Sequence, residues 1–251
     1  MHRIQRQSAI LERIGDARSV DVAELARALA VSEATIRRDL HTLSGRGLLV
    51  RTHGGAVAKD LGDELPIALK AARRSSEKAR IGRAAADLVG DGAVVGMTGG
   101  TTTLELARAL SQRRGITVVT NAINIAAELM GHQNLHLVVI GGIVRPSAEL
   151  VGPAAEAMLA NYHLDVAFIG VDGLTAEQGC TTYDEMEAQT DQAFLHRARR
   201  AVVVADSSKI GTVRFARITP LSQVDDIVTD RSATPDQLDE LRSASVRVLT
   251  T

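Results

Sequence analysis

The run Val31-Ser32-Glu33-Ala34-Thr35-Ile36-Arg37-Arg38-Asp39-Leu40 leaves the chain little conformational freedom. Ser32 is a natural N-cap, and Ile36, Leu40 and Leu43 then fall at i, i+4 and i+7 on one stripe of a helix. Arg37, Arg38 and His41 lie around the opposite side, and Thr35 flanks the stripe near its start. Upstream, Asp21 with Glu24 three residues later has capping spacing and opens a helix that turns Val22, Leu25, Ala26 and Leu29 inward. A still earlier helix is predicted from Ile4, Ala9, Ile10, Leu11 and Ile14, ending near Gly15. About three residues separate the second and third helices, the spacing of a helix-turn-helix. Gly45 and Gly47 are expected to end the third. Beyond it, Leu49-Val50-Arg51-Thr52-His53-Gly54-Gly55-Ala56 reads as a short basic hairpin with a Gly-Gly tip.

This order of elements suits a helix in the major groove of DNA with a wing on the flanking backbone. Arg37 and Arg38 are candidates for guanine or phosphate contacts, and a good bidentate base contact is worth ~1–3 kcal/mol of discrimination. Ser32 and Thr35 can reach phosphate oxygens from the helix start. His41, Arg51, His53 and Gly54 complete the candidate DNA-binding set, the glycine allowing close approach of the hairpin tip. Charge supports the reading. Residues 1–59 hold ten Lys/Arg against six Asp/Glu, whereas the remaining 192 hold nineteen against twenty-four. The basic charge is thus concentrated where DNA contact is expected.

The rest of the 251-residue chain reads differently. Polar, turn-prone residues over 58–66 (Lys59, Asp60, Gly62, Asp63, Glu64, Pro66) mark a domain boundary. A helical pattern begins at Ser75/Ser76. Short apolar runs at 93–97, 116–120, 135–140, 165–170, 201–205, 226–229 and 246–249 then alternate with helical segments. Such alternation argues for a parallel sheet covered on both faces, hence an α/β fold. The domains expected are a DNA reader over 1–57, a linker over 58–74 and an α/β domain over 75–251.

Ligands collect at the carboxyl ends of such strands. Five polar or Gly-rich turns fall there: Gly99-Gly100-Thr101-Thr102-Thr103, Thr120-Asn121, Gly141-Gly142, Gly170-Val171-Asp172-Gly173 and Asp206-Ser207-Ser208-Lys209. The first opens a helix, where amides and hydroxyls can converge on an anion. Lys209 could reach the same anion as a point charge.

Composition excludes several classes. Three Phe, two Tyr and no Trp leave no stacking platform for single-stranded nucleic acid. One cysteine, Cys180, excludes an internal disulfide and fits a reducing cytoplasm. No run approaches the roughly 18 apolar residues of a membrane span. The seven histidines are scattered, with His132, His136, His163 and His196 in the larger domain and none paired at metal spacing. No G-x-G-x-x-G follows a strand, so dinucleotide binding is rejected. Neither metal nor cofactor is expected.

The stretch Val31–Leu40 together with Arg51-Thr52-His53-Gly54-Gly55-Ala56 resembles the winged helix-turn-helix signature of DeoR-type bacterial transcriptional regulators. The larger domain extends the resemblance over nearly the whole chain. Gly100-Thr101-Thr102, Thr120-Asn121, Gly141-Gly142, Asp172-Gly173 and Asp206-Ser207-Ser208-Lys209 match family motifs, and Glu187 after Thr182-Tyr183-Asp184 looks like the family's glutamate. The resemblance implies a sensor domain of ribose-5-phosphate isomerase fold, an operator as DNA partner, a phosphorylated sugar as effector and, most often, repression of carbohydrate genes. It assigns the effector to Gly99, Gly100, Thr101, Thr102, Thr103, Thr120, Asn121, Gly141, Gly142, Asp172, Gly173, Glu187 and Lys209. Two positions depart from the pattern. Thr98 stands where many members have aspartate, and Asp191-Gln192 replaces a pair that is usually basic.

A homo-oligomer is expected, because helix-turn-helix readers bind paired half-sites. The competing reading is a sugar-phosphate isomerase or deaminase-like enzyme with a DNA-binding tail, using Asp172, Glu187 and Lys209 as acid, base and anion stabiliser. No nucleophile motif or metal cluster supports it, and the regulator is preferred.

Overall fold

The computed structural model describes residues 2–58 and 64–251. Lys59, Asp60, Gly62 and Asp63 of the expected linker, and the expected burial of the Ile4 side chain, lie outside the described residues. Contacts divide the chain into two compact units, Met1–Ser75 and Ser76–Thr251.

The first unit runs α1 (Arg3–Ala17), β1 (Ser19–Asp21), α2 (Val22–Ala28), α3 (Glu33–Gly45), β2 (Leu49–Arg51), β3 (Gly55–Ala58) and α4 (Ile67–Ala72). Its core gathers the predicted stripes: Ile10 and Ile14, Val22 and Leu25, and Ile36, Leu40 and Leu43 are all at most 5% exposed. Each such aliphatic side chain contributes about 1.5–3 kcal/mol. The strands form an antiparallel sheet in the order β1-β3-β2.

Three local expectations are corrected. Gly15 does not stop α1, which continues to Ala17 and ends at Arg18 in the left-handed region. A Cβ at Gly15 would lie 2.6 Å from Arg73 Cγ, so this glycine makes room for the chain following α4. Gly55 is not part of a free tip. It pairs with Asp21 across β1 and β3, and a Cβ there would collide with the Val20 carbonyl. The expected linker also carries structure, since Leu65 and Leu69 are buried in this unit's core and α4 packs on α1.

The second unit runs α5 (Ser75–Ala86), β4 (Val94–Met97), α6 (Thr101–Leu110), β5 (Thr117–Thr120), α7 (Ile123–Leu129), β6 (His136–Val139), β7 (Ile143–Val144), β8 (Leu150–Val151), α8 (Pro153–Leu159), β9 (Val166–Gly170), β10 (Gly173–Thr175), β11 (Gly179–Thr182), α9 (Glu185–Arg197), β12 (Ala201–Val204), β13 (Ala216–Thr219), β14 (Asp226–Thr229), α10 (Pro235–Ser243) and β15 (Arg247–Thr250). Seven of these strands form one parallel sheet, β15-β14-β12-β9-β4-β5-β6. All seven predicted strand runs are in it. Both faces are covered: Met97, Val118 and Phe168 pack on one side, and Ala167, Val203 and Ile227 on the other.

Chain order reverses beside β4. The chain moves outward through β5 and β6, then returns to β9 on the opposite flank. That is the switch point at which open α/β sheets hold ligands. Gly170, ending β9, lies so close to the turn after β4 that a Cβ would be 2.8 Å from Gly99 O. The pattern did not disclose two smaller elements: the β7–β8 hairpin and the antiparallel sheet β10-β11-β13.

Candidate functional site

In the first unit the third helix is built as its sequence dictates. Asp21 accepts from the amides of Ala23 (2.7 Å) and Glu24 (3.1 Å) to start α2. Ser32 accepts from the Thr35 amide at 3.3 Å to start α3, and its hydroxyl lies 3.0 Å from the Thr35 hydroxyl. Arg37, Arg38 and His41 are exposed on the face opposite the core. Arg37 is paired with Glu33 one turn earlier at 2.8 Å, an exposed pair of small energetic weight. The Arg38 guanidinium has no partner among the described residues. Arg51 of β2 reaches His41 of α3 (Nη1 to Nδ1, 3.4 Å), so strand and helix present their polar groups together. His53 and Gly54 are exposed at the hairpin turn.

Asp39, in the middle of the quoted motif, faces the other way. It is 3% exposed and accepts from Arg6 Nε at 2.5 Å and Gln7 Nε2 at 3.1 Å, tying α3 to α1. Its role was not foreseen, because an aspartate within a polar helix face gives no sign of burial.

In the second unit all five predicted turns lie on the same edge of the sheet, because all seven strands run parallel. α6 begins directly after Gly100, which has a left-handed φ of 128° and offers no side-chain cap. The amides of Thr101, Thr102 and Thr103 therefore begin the helix without intrahelical acceptors. Thr98 is fully buried, and its hydroxyl accepts from the Gly170 amide at 3.2 Å, fastening β4 to β9.

Next to that turn lies a buried polar cluster. The backbone of 148–150 runs against 121–123, with Leu150 N donating to Asn121 O and Ile123 N to Ala148 O. This places Glu149 over Gly99, where any Cβ would overlap the glutamate side chain. Asn121 donates to Glu149 Oε2 (3.4 Å) and to the Leu150 carbonyl (3.2 Å). Glu187, on the first turn of α9, accepts from Thr182 and Arg145, and from Ser147 at 3.2 Å. Arg145 also pairs with Asp184, the N-cap of α9, at 3.3 Å. One turn further along α9 is Asp191, 2% exposed. Burial first, then the negative charges of Glu149, Glu187 and Asp172, push its carboxyl well above the ordinary 3.8.

The structure thus brings Gly99, Gly100, Thr101–Thr103, Thr120, Asn121 and Glu187 to one edge of the sheet. Asp172 and Lys209 also meet, at 2.9 Å, so the lysine charge is balanced by an internal carboxylate. Thr120 caps the following turn through the Ala122 amide at 3.1 Å. Gly141 and Gly142 are exposed and shape the entry to the β7–β8 hairpin, Gly142 admitting the Val151 backbone. Gly173 admits the backbone of Thr212. Arg145, Ser147 and Glu149 were missed. They arrive on a hairpin of two-residue strands, too short for any periodicity to reveal.

Glu149, Glu187 and Asp191 offer oxygens within 4.8 Å of one another and could hold a metal ion among the described residues. Arg145, bonded to Glu187, disfavours a divalent cation there. Cys180 is fully buried, and burial pushes its thiol up to about 12, which leaves it unreactive. No helix of the described residues is long and apolar enough to cross a membrane.

Residues 6–61 match the model for the DeoR-like helix-turn-helix domain, and residues 73–231 match that for the DeoR C-terminal sensor domain. The chain is 35% identical over 246 residues to the HTH-type transcriptional regulator GlpR of Haloferax volcanii, covering 98% of this chain and 96% of the relative. It is 30% identical over 231 residues to the glycerol-3-phosphate regulon repressor of Escherichia coli K12, covering 92% of each. Among solved structures, ribose 5-phosphate isomerase A of Methanocaldococcus jannaschii matches 54% of each chain at 20% identity, with a TM-score of 0.42.

Proposed function

The chain belongs to the DeoR family of DNA-binding transcriptional regulators and is not an enzyme, and on that premise we propose that it is a repressor released from its operator by a phosphorylated sugar. The observation that carries the effector reading is the uncapped start of α6 at the switch point of the sheet. Three unsatisfied amides and the positive end of the helix dipole face the place where such sheets bind ligands. A phosphate held there would accept from the amides and hydroxyls of Thr101, Thr102 and Thr103. Lys209 would turn from Asp172 toward the incoming anion.

On the DNA side, Arg37 and Arg38 reach base edges or phosphates from α3, while Ser32 and Thr35 meet phosphate at its start. His41 and Arg51 act as a joined pair, and His53 and Gly54 follow the backbone from the wing. Two copies of the chain engage paired half-sites. We assign DNA reading to 1–57 and effector sensing to 75–251, with the described part of 58–74 packed through α4 on the first unit. Effector binding favours an arrangement of copies or units that cannot span both half-sites, which makes release a linkage effect. The isomerase alternative also fares poorly on chemistry, because Glu187, its candidate base, already accepts from Thr182, Ser147 and Arg145.

The test is fluorescence anisotropy on labelled DNA from the gene's own upstream region, at one fixed salt concentration because phosphate contacts make affinity salt-dependent. Release by a sugar phosphate and not by its unphosphorylated parent supports the reading. Tight binding indifferent to every sugar phosphate rejects the effector assignment, and absence of specific binding rejects the operator assignment.

A further inference from the structure

The turn that opens α6 is held by a residue of the neighbouring helix. Gly100 stands at φ 128° and ψ 168°, a backbone conformation open almost only to glycine. Its carbonyl accepts twice: from the Leu104 amide at 3.3 Å, the first bond of α6, and from Asn124 Nδ2 at 3.4 Å. Asn124 is the second residue of α7, and the start of α7 is itself pinned. The Ala122 amide donates to the Thr120 hydroxyl at 3.1 Å, and the Ile123 amide donates to the Ala148 carbonyl at 2.9 Å. Asn124 therefore meets Gly100 from a fixed base.

The Asn124 bond is not needed to satisfy the Gly100 carbonyl, because Leu104 already does so. It also leaves Asn124 Oδ1 buried with no partner among the described residues, a desolvation cost that leucine in its place would avoid. What the bond supplies is orientation. The peptide joining Gly100 to Thr101 is planar and trans, so its N–H points opposite to its C=O. Holding the carbonyl toward Leu104 and Asn124 aims the Thr101 amide out of the helix start, where it has no intrahelical acceptor. A carbonyl that accepts a hydrogen bond also makes the N–H of its peptide a stronger donor, since linked bonds polarise one another. A second observation shows that this end of α6 has polar groups unspent. Thr103 is fully buried, and its hydroxyl, 3.1 Å from where a Cβ on Gly100 would sit, has no partner among the described residues.

We propose that Asn124 is a positioning residue for anion capture, fixing and polarising the Gly100–Thr101 peptide so that the Thr101 amide is presented to a phosphate oxygen. Asn124 acts through that peptide and does not touch the anion. The proposal rests on the reading that the Gly99–Thr103 turn takes the effector's phosphate, and it adds α7 to that site.

The test uses inorganic phosphate, titrated into the isotope-labelled full chain while backbone and side-chain amide resonances are followed by NMR. In the wild type the amides of Thr101, Thr102 and Thr103 should shift. The Asn124 side-chain amide should shift at the same phosphate concentration, although its partner is a carbonyl and not the anion. Asn124→Leu should weaken phosphate binding about two- to tenfold, the worth of one hydrogen bond. It should also shrink the Thr101 response relative to those of Thr102 and Thr103, with the urea midpoint no lower than that of the wild type. Asn124→Asp keeps the shape but offers the carbonyl no donor; it should weaken binding at least as much, and it serves if the leucine variant does not fold. A lowered urea midpoint with phosphate affinity and the Thr101 response unchanged makes Asn124 a structural tie and overturns the proposal. An Asn124 side-chain amide that stays still while the three threonine amides shift also overturns it, and leaves the phosphate reading standing. No response at Thr101, Thr102 or Thr103 overturns the phosphate reading, and the proposal with it.

Discussion

The two units place their polar residues in opposite ways. In the first, Arg37, Arg38, His41 and Arg51 stand on the surface, outside a closed core, and only modest surface pairs engage them. In the second, Glu149, Glu187, Asp191, Asn121 and Asp172 are at least nine-tenths buried and most are held by hydrogen bonds. A surface that reads DNA can be changed without disturbing the fold beneath it. A buried sensor is part of its own core, so its binding and stability cannot be separated. That same entanglement gives an effector a means of altering the protein that holds it.

The contrast can be broken most directly at Glu187. Replacing it with alanine removes the acceptor shared by Thr182, Ser147 and Arg145. Urea denaturation should show a loss of about 3 kcal/mol, the scale of a broken buried ion pair. A change below about 0.5 kcal/mol would place Glu187 with ordinary surface residues and erase the contrast. A matched pair of glycines comes next. Gly99→Ala drives a Cβ into Glu149 and should cost about 1–3 kcal/mol together with the effector response. Gly54→Ala at the wing meets only Asp21 Oδ2 at 3.6 Å and should leave stability within about 0.5 kcal/mol.

Arg38→Ala should weaken operator binding by about 1–3 kcal/mol in anisotropy while thermal stability and effector affinity stay fixed. If Arg38 contacts phosphate rather than a base, the loss will be uniform across sequences and the salt slope will fall by about one. The smallest expected effect is that of pH on Asp191→Asn. Asp191 keeps its proton in the folded protein well above the ordinary 3.8 at which the unfolded chain loses it. Folding stability is therefore fully retained below that value and declines as pH rises toward the folded pKa. The asparagine variant lacks this decline. It should be more stable than the wild type at neutral pH, with the advantage vanishing below about pH 4. An advantage that persisted unchanged in acid would contradict the buried-charge explanation.

The same contrast governs what the sequence revealed. A capped amphipathic helix is a local object, so Ser32, Ile36, Leu40 and the outward arginines were legible from spacing alone. The parallel sheet was legible because strands buried on both faces are apolar throughout, as Val202-Val203-Val204 is. Gly15 and Gly55 misled because a glycine signals punctuation in sequence, whereas here each admits a neighbour packed against it. The proposed effector site was visible only as turns. The buried polar cluster beside it is built from Arg145, Ser147 and Glu149, delivered by a hairpin held to residues 121–123, and from Asp191, whose burial is set by elements distant in the chain. Convergence of that kind leaves no periodic trace.

Reciprocity between the two units is the most direct test of the central claim. The dissociation constant of the releasing sugar phosphate would be measured by calorimetry on the free protein and on the protein saturated with operator DNA. Thermodynamic linkage requires DNA to weaken effector binding by the same factor as the effector weakens DNA binding. The expected factor is at least tenfold, about 1.4 kcal/mol of coupling. Equal effector affinity with and without DNA would mean that the sensor does not control the reader, and would contradict the claim.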